Sequence, residues 1–167
     1  GPRNAFAGPG WTVVEGPVDS PKAGLPLTST ASARRFLAAA RLAARGADDK
    51  KARDIRLWDV RRLSGVADFY VVATCDSNPQ IQAAEDAIEE SLKGKGLRPL
   101  RREGRGSAPW RVLDFGGLVV HLLTESARLF YGLERLWEGA KSMPWAERAA
   151  RASARPSRSR RAPNPTR

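Results

Sequence analysis

A few side chains in this sequence have the types and neighbours that chemistry needs. The chain's lone histidine, His121, lies in the apolar run LVVHLL, with Asp114 and Glu125 close by in sequence. A histidine beside a carboxylate is the raw material of general acid–base catalysis. The single cysteine, Cys75, follows the run DFYVVAT at a strand-to-helix turn. There a helix N-terminus could lower its pKa and make it a reactive thiolate.

Known catalytic patterns fail one by one. A nucleophile elbow would read G-x-S-x-G, and that string is absent. The turn after DFYVVAT is CDSNPQ, without the glycines that let backbone amides cradle a phosphate. Metal-dependent phosphoryl or nucleotidyl transfer needs clustered carboxylates, yet no D-x-D or D-x-E pair occurs, and Asp114 is followed by Phe115 and Gly116. Strand alternation puts His121 on the face of Val119 and Leu123, the setting of a hydrogen-bonded structural histidine. Cys75 reads equally as a small buried residue. The sequence thus argues against an enzyme, and neither a cofactor nor a metal site is expected.

The elements that hold these residues follow from pattern. In ASARRFLAAARLAARGA, residues Phe36, Leu37, Ala40 and Ala43 or Ala44 form a helical stripe, with Gly46 as the stop. DIRLWDV (54–60) and DFYVVAT (68–74) read as strands, the second too apolar for an edge and so central. SNPQIQAAEDAIEESLKGKG reads as a helix capped by Ser77 or Asn78, with Pro79 in its first turn and Gly94 or Gly96 as the stop. LRPLRREG (97–104) reads as an edge strand loosened by Pro99. WRVLDF and LVVHLL flank Gly116-Gly117, a two-residue hairpin needing positive φ. TESARLFYGLERLW closes the domain as one helix capped by Thr124, with Leu129, Leu133 and Leu136 at helical spacing and Phe130 and Trp137 alongside. The order predicts an α/β fold, a mixed β-sheet flanked by helices.

Of 167 residues, 1–30 are a Gly/Pro-rich extended arm, 31–145 the α/β domain with its leading helix, and 146–167 a basic tail. The net charge of +11 belongs to the ends: residues 52–145 carry 14 Lys+Arg against 13 Asp+Glu, whereas 146–167 carry 7 arginines against Glu147 alone. The tail reads as a solvated end or as an RNA contact through Arg155, Arg158, Arg160 and Arg161. No apolar run approaches the roughly 20 residues of a membrane-spanning helix, which predicts a soluble protein. The leading helix reads as a packing helix or as part of an organellar targeting sequence.

The aromatic and arginine inventory points to binding, because Trp, Tyr and Arg dominate protein interfaces. Trp110 opens the hairpin, and Tyr131, Glu134 and Trp137 mark the closing segment. The segments ADFYVVAT, SNPQIQAAEDAIEESL, REG, WRVLDFGGLVVHLL and ARLFYGLERLW together resemble the ribosomal silencing factor family (RsfS, Iojap-related) over about residues 52–138. The resemblance implies a nucleotidyltransferase-like fold without catalytic carboxylates. It implies docking on the large ribosomal subunit through ribosomal protein number fourteen, with small-subunit joining blocked sterically in nutrient stress or late assembly. Trp110, Tyr131 and Leu133 match the family's contact surface, Glu134 and Trp137 its closing motif, and His121 its strand histidine. Gly117 stands where aspartate is common, Cys75 where glycine is usual and Pro79 where a basic residue often sits. The long basic extensions resemble an organellar homologue. That implies a mitochondrion, with plastid or bacterial cytoplasm as alternatives, and a possible association with a LYR-motif protein and an acyl carrier protein. Two other readings remain at this point: a nucleotidyltransferase-like enzyme with an unrecognised site, for which magnesium-dependent turnover abolished by His121→Ala or Asp114→Asn is the discriminator, and a generic RNA-binding protein.

Overall fold

The computed structural model describes residues 30–146; the arm before Thr30 and the tail after Ala146, with Arg155, Arg158, Arg160 and Arg161, lie outside them. Helix α1 (Thr30–Asp49) leads into strands β1 (Arg53–Asp59) and β2 (Phe69–Cys75), then helix α2 (Asn78–Lys93). Strands β3 (Arg101–Glu103), β4 (Trp110–Asp114) and β5 (Leu118–Thr124) follow. Helices α3 (Glu125–Tyr131) and α4 (Leu133–Leu136) and strand β6 (Lys141–Met143) complete the domain. The six strands form one mixed sheet in the order β3-β4-β5-β2-β1-β6.

β2 and β5 form the centre and pair in parallel, from Phe69 opposite Leu118 to Cys75 opposite Thr124. Both are buried almost throughout, which is why their sequences are continuously apolar instead of alternating. Phe69, Val71, Ala73 and Cys75 on β2, with Val120 and Leu122 on β5, pack against α1 and α2. Tyr70, Val72, Val119 and Leu123 point to the other face and its separate cluster around Trp110, Leu133 and Trp137. β3 is an edge strand as expected but spans only three residues. The short edge strand β6, beside β1, has no sequence signal of its own and was not expected.

Gly46 does not stop the leading helix. It lies buried within α1, where an added Cβ would come 3.1 Å from Ile88 Cγ1 on α2. Together with Ala39, Ala40, Ala43, Ala44 and Ala47, it lets α1 lie close against both α2 and the sheet. α2 is capped as expected, with Ser77 Oγ accepting from the Gln80 amide at 3.3 Å. The left-handed residue after it is Gly96 (φ +74), since Gly94 is still right-handed. In the hairpin only Gly116 has positive φ (+91). Gly117 is needed for space: its Cβ would fall 2.3 Å from Phe36 Cδ2 on α1. Any larger residue there, aspartate included, must displace that ring.

Glu85 on α2 and Arg111 on β4 form a buried ion pair between helix and sheet. Arg111 also donates through Nη1 to Gln82 Oε1 at 3.1 Å and through Nε to the Gly104 carbonyl at 2.8 Å. A buried pair contributes little net stability, yet each partner is costly without the other. Glu85→Leu should therefore destabilise the fold by about 3–5 kcal/mol, and adding Arg111→Met should restore much of the loss. Urea unfolding of both variants checks this; a double variant no more stable than the single one would contradict it. Gly117→Asp should cost about 1–3 kcal/mol by overpacking, and Phe36→Ala in the same chain should relieve part of that. A double-mutant cycle by thermal unfolding measures the coupling.

Candidate interaction surface

The closing segment is not one helix. Thr124 caps α3, its Oγ1 accepting from the Ala127 amide at 3.3 Å, but Gly132 adopts the left-handed conformation (φ +57) and ends α3 after seven residues. α4 then starts in a new direction from the same glycine. The expected leucine stripe is therefore divided. Leu133 turns into the core, Leu136 is partly exposed, and Leu129 and Phe130 project outward at 76% and 83% exposure. The two are neighbouring apolar side chains left open to solvent on a short helix.

Beneath this helix the rings form a connected series across the sheet. Trp58 meets Trp137 (centroids 5.4 Å), and Trp137 stacks on Tyr70 at 4.5 Å and lies 5.4 Å from His121. His121 approaches Trp110 at 5.8 Å, Trp110 meets Tyr131 at 4.6 Å, and Phe130 stands edge-on to Tyr131 at 5.1 Å. Such tilted and edge-on pairs each add about 0.5–1.5 kcal/mol beyond burial. Phe130 is thus the exposed end of a packed aromatic layer.

Arg128, on the buried side of α3, pins the helix to the sheet. Its Nη1 donates to the Asp54 carbonyl (2.7 Å) and to Thr74 Oγ1 (2.9 Å), and its Nε to Glu134 Oε1 (2.6 Å). Its Nη2 lies 3.3 Å from Asp54 Oδ2. An irregularity in β1 between Arg53 and Arg56 makes this possible, with Asp54 at φ +47. An open cleft of about 220 Å³ lies beside Arg128, walled by Asp54, Glu125, Glu134 and Leu129. Arg53 and Arg128 pair with these carboxylates. Among the described residues, no group of three or more His, Cys, Asp or Glu could hold a metal ion.

The residues singled out from sequence therefore separate into two layers. Tyr131 is partly accessible and Glu134 exposed, whereas Trp110 (5% exposed), His121, Leu133 and Trp137 are buried. Trp110 does not present its ring on the hairpin as expected; the ring lies under α3 in the second core cluster. Leu129 and Phe130 were misplaced by the single-helix reading, and Gly132 was the signal that could have corrected it. Asp114 accepts from the Gly116 amide at 2.8 Å and serves the hairpin. Cys75 is buried, and burial pushes its thiol up to about 11, opposite to the shift a reactive thiolate needs.

His121 is the hydrogen-bonded scaffold residue that its strand position suggested. Trp110 Nε1–H donates to its Nδ1 at 3.1 Å, so the neutral ring carries its proton on Nε2, which has no hydrogen-bond partner among the described residues. Burial lowers its pKa from 6.5 to about 3. Because the folded pKa is depressed, the unfolded chain binds the proton first. Stability is then full above pH 6.5 and falls toward pH 3, by up to about 1.4 kcal/mol per pH unit. Urea unfolding between pH 7.5 and 5 should show this slope, and His121→Gln should flatten it. An unchanged slope in the variant would assign the effect to other groups.

Comparisons with known proteins agree with this fold. The family model described as ribosomal silencing factor during starvation, RsfS, matches residues 32–167. The chain is 35% identical over 100 residues to the ribosomal silencing factor RsfS of Bacillus subtilis, covering 60% of this chain and 85% of the relative. It is 36% identical over 100 residues to the chloroplastic protein Iojap of Zea mays, covering 58% of this chain and 42% of that protein. A crystal structure of a Chromobacterium violaceum protein superposes with a TM-score of 0.58 at 32% identity, covering 65% of this chain and 89% of the other. The Bacillus subtilis relative is named as a ribosomal silencing factor, not as an enzyme. With the family match spanning most of its length and the same fold in a solved structure, the chain belongs to the ribosomal silencing factor (RsfS) family.

Proposed function

We propose that this protein docks on the large ribosomal subunit, through ribosomal protein number fourteen, and blocks small-subunit joining by occupying the face the small subunit must reach. The observation that carries this reading is the exposed Leu129–Phe130 pair on a helix held from below by Arg128 and the aromatic layer. A helix already held in place before binding loses little backbone entropy when it docks, so two apolar anchors on it can dominate an interface. Tyr131 and Glu134 extend the contact at its margin. Trp110, His121, Leu133 and Trp137 shape it from beneath.

The action is steric, so no chemical step is required of the protein. It fits a role in large-subunit assembly or in translational silencing. The arginine tail, with Arg155, Arg158, Arg160 and Arg161, adds attraction to ribosomal RNA. The relatives include bacterial and chloroplast proteins. For this chain the basic extensions favour a mitochondrial setting, where a LYR-motif protein and an acyl carrier protein would enlarge the obstacle.

Sedimentation of the purified protein with large subunits, followed by addition of small subunits, tests the reading. Wild-type protein should co-migrate with large subunits and reduce joined ribosomes. Leu129→Ser/Phe130→Ser should weaken large-subunit binding by about 30-fold or more, roughly 2 kcal/mol, without changing the melting temperature. Trp110→Ala should instead lower stability by about 3–5 kcal/mol, because it empties a buried site. Wild-type binding by the folded double-serine variant would remove the surface from the model of docking.

A further inference from the structure

The domain's exposed cations are not distributed evenly, and five of them gather at the end opposite α3. Arg34 and Arg35 lie exposed near the start of α1. Lys93 and Lys95, also exposed, alternate with Gly94 and Gly96 at the end of α2, and exposed Arg98 follows in the link to β3. α1 and α2 run antiparallel, so these segments meet: Arg35 Nη2 reaches the Lys95 carbonyl at 3.5 Å, and a Cβ on Gly96 would lie 3.8 Å from the same nitrogen. The Gly116-Gly117 hairpin adjoins them, touching Phe36 of α1 and Leu100 of the link.

Ion pairing divides the arginines. Arg53, Arg56, Arg61, Arg102, Arg111 and Arg128 each have a carboxylate within 4 Å, whereas the five cations here, like Arg41, Arg45, Arg62, Arg101, Arg105, Arg135 and the other lysines, have none among the described residues, so what sets the five apart is their gathering at one corner. Glu89, on the same helix, is taken by Arg102. The other acid of that turn, Glu90, stands alone against the cluster. Two lysines at the C-terminus of α2 have a purely structural use, since they offset the helix dipole. That use does not explain Arg34, Arg35 and Arg98. It also leaves open why glycines flank Lys95, stripping the turn of side-chain bulk on both sides.

The geometry points to this corner as a binding site for the phosphate backbone of RNA. The three backbone amides of the turn are already hydrogen-bonded to Glu90, Leu92 and Lys93 carbonyls, so the side chains must supply the contact. Mobile ammonium and guanidinium groups around a low-profile turn suit successive phosphates, which fix position without reading sequence. A membrane surface would require bulky apolar side chains among the cations, and Leu100 alone is widely exposed there. β5 spans seven residues, about 20 Å, between this corner and α3. RNA and a protein partner can therefore occupy the two ends at once.

The test uses the full chain, a short RNA hairpin free of protein, and fluorescence anisotropy from 50 to 250 mM KCl. Arg35→Gln/Lys93→Gln/Lys95→Gln/Arg98→Gln should bind at least about tenfold more weakly at 100 mM salt, with the slope of log K against log salt reduced by about three. Arg45→Gln/Lys50→Gln/Lys51→Gln/Arg62→Gln removes equal charge elsewhere and should lose much less. The single variant Lys95→Glu should follow the first set. Equal losses from both sets, or none from the first, would overturn the site. Loss of binding to phosphatidylglycerol vesicles with RNA binding intact would also overturn it. Since the RNA is free of protein, none of these outcomes depends on docking through Leu129 and Phe130, which subunit sedimentation tests separately.

Discussion

β2 and β5 lie side by side in parallel at the middle of the sheet, and nearly every residue of both is buried on one face or the other. A parallel pair buried this way needs cover on both sides. α1 and α2 provide it on one side with close alanine and glycine contacts. The other side has no long helix. Its cover is a layer of rings from four strands and the closing segment, topped by the short α3. The position of α3, and hence of Leu129 and Phe130, follows from how the second face of the central pair is filled.

That dependence makes buried polar groups matter more here than their number suggests. Arg128 carries its charge into the structure to join α3 to β1, β2 and α4, while Trp110 finds its acceptor in a histidine that burial keeps neutral. Buried polar groups are costly unless satisfied, and once satisfied they hold one arrangement against its alternatives. The Arg111–Glu85 pair does the same between α2 and β4. Each cover of the sheet is therefore tied down by a guanidinium as well as by apolar contact, which gives the surface helix a fixed platform.

Much of this was legible without coordinates. The apolar run of β2 announced a central strand, Ser77 and Pro79 announced the start of α2, and Gly116-Gly117 announced the hairpin. The errors fell on residues whose role depends on distant neighbours. Gly46 has the type of a helix stop, yet its lack of a side chain serves contact with Ile88, 42 positions later. Gly132 lies within a plausible leucine stripe, and only the burial of Leu133 and Trp137 against the second face reveals the break. Trp110 has the composition of an interface anchor, but its neighbours across the sheet bury it.

By itself the sequence determined the order of the main elements, the apolar centre of the sheet, the absence of familiar catalytic strings and the resemblance to its family. All of these rest on local spacing and on residue type, which survive being read in one dimension. Tertiary structure alone decided which aromatic residues support the surface and which form it. It also decided that Arg35 near the start of α1 stands beside Lys95 at the end of α2. The physical reason is that exposure and electrostatic grouping depend on distances through space between segments far apart in the chain, and the folding of the sheet sets those distances.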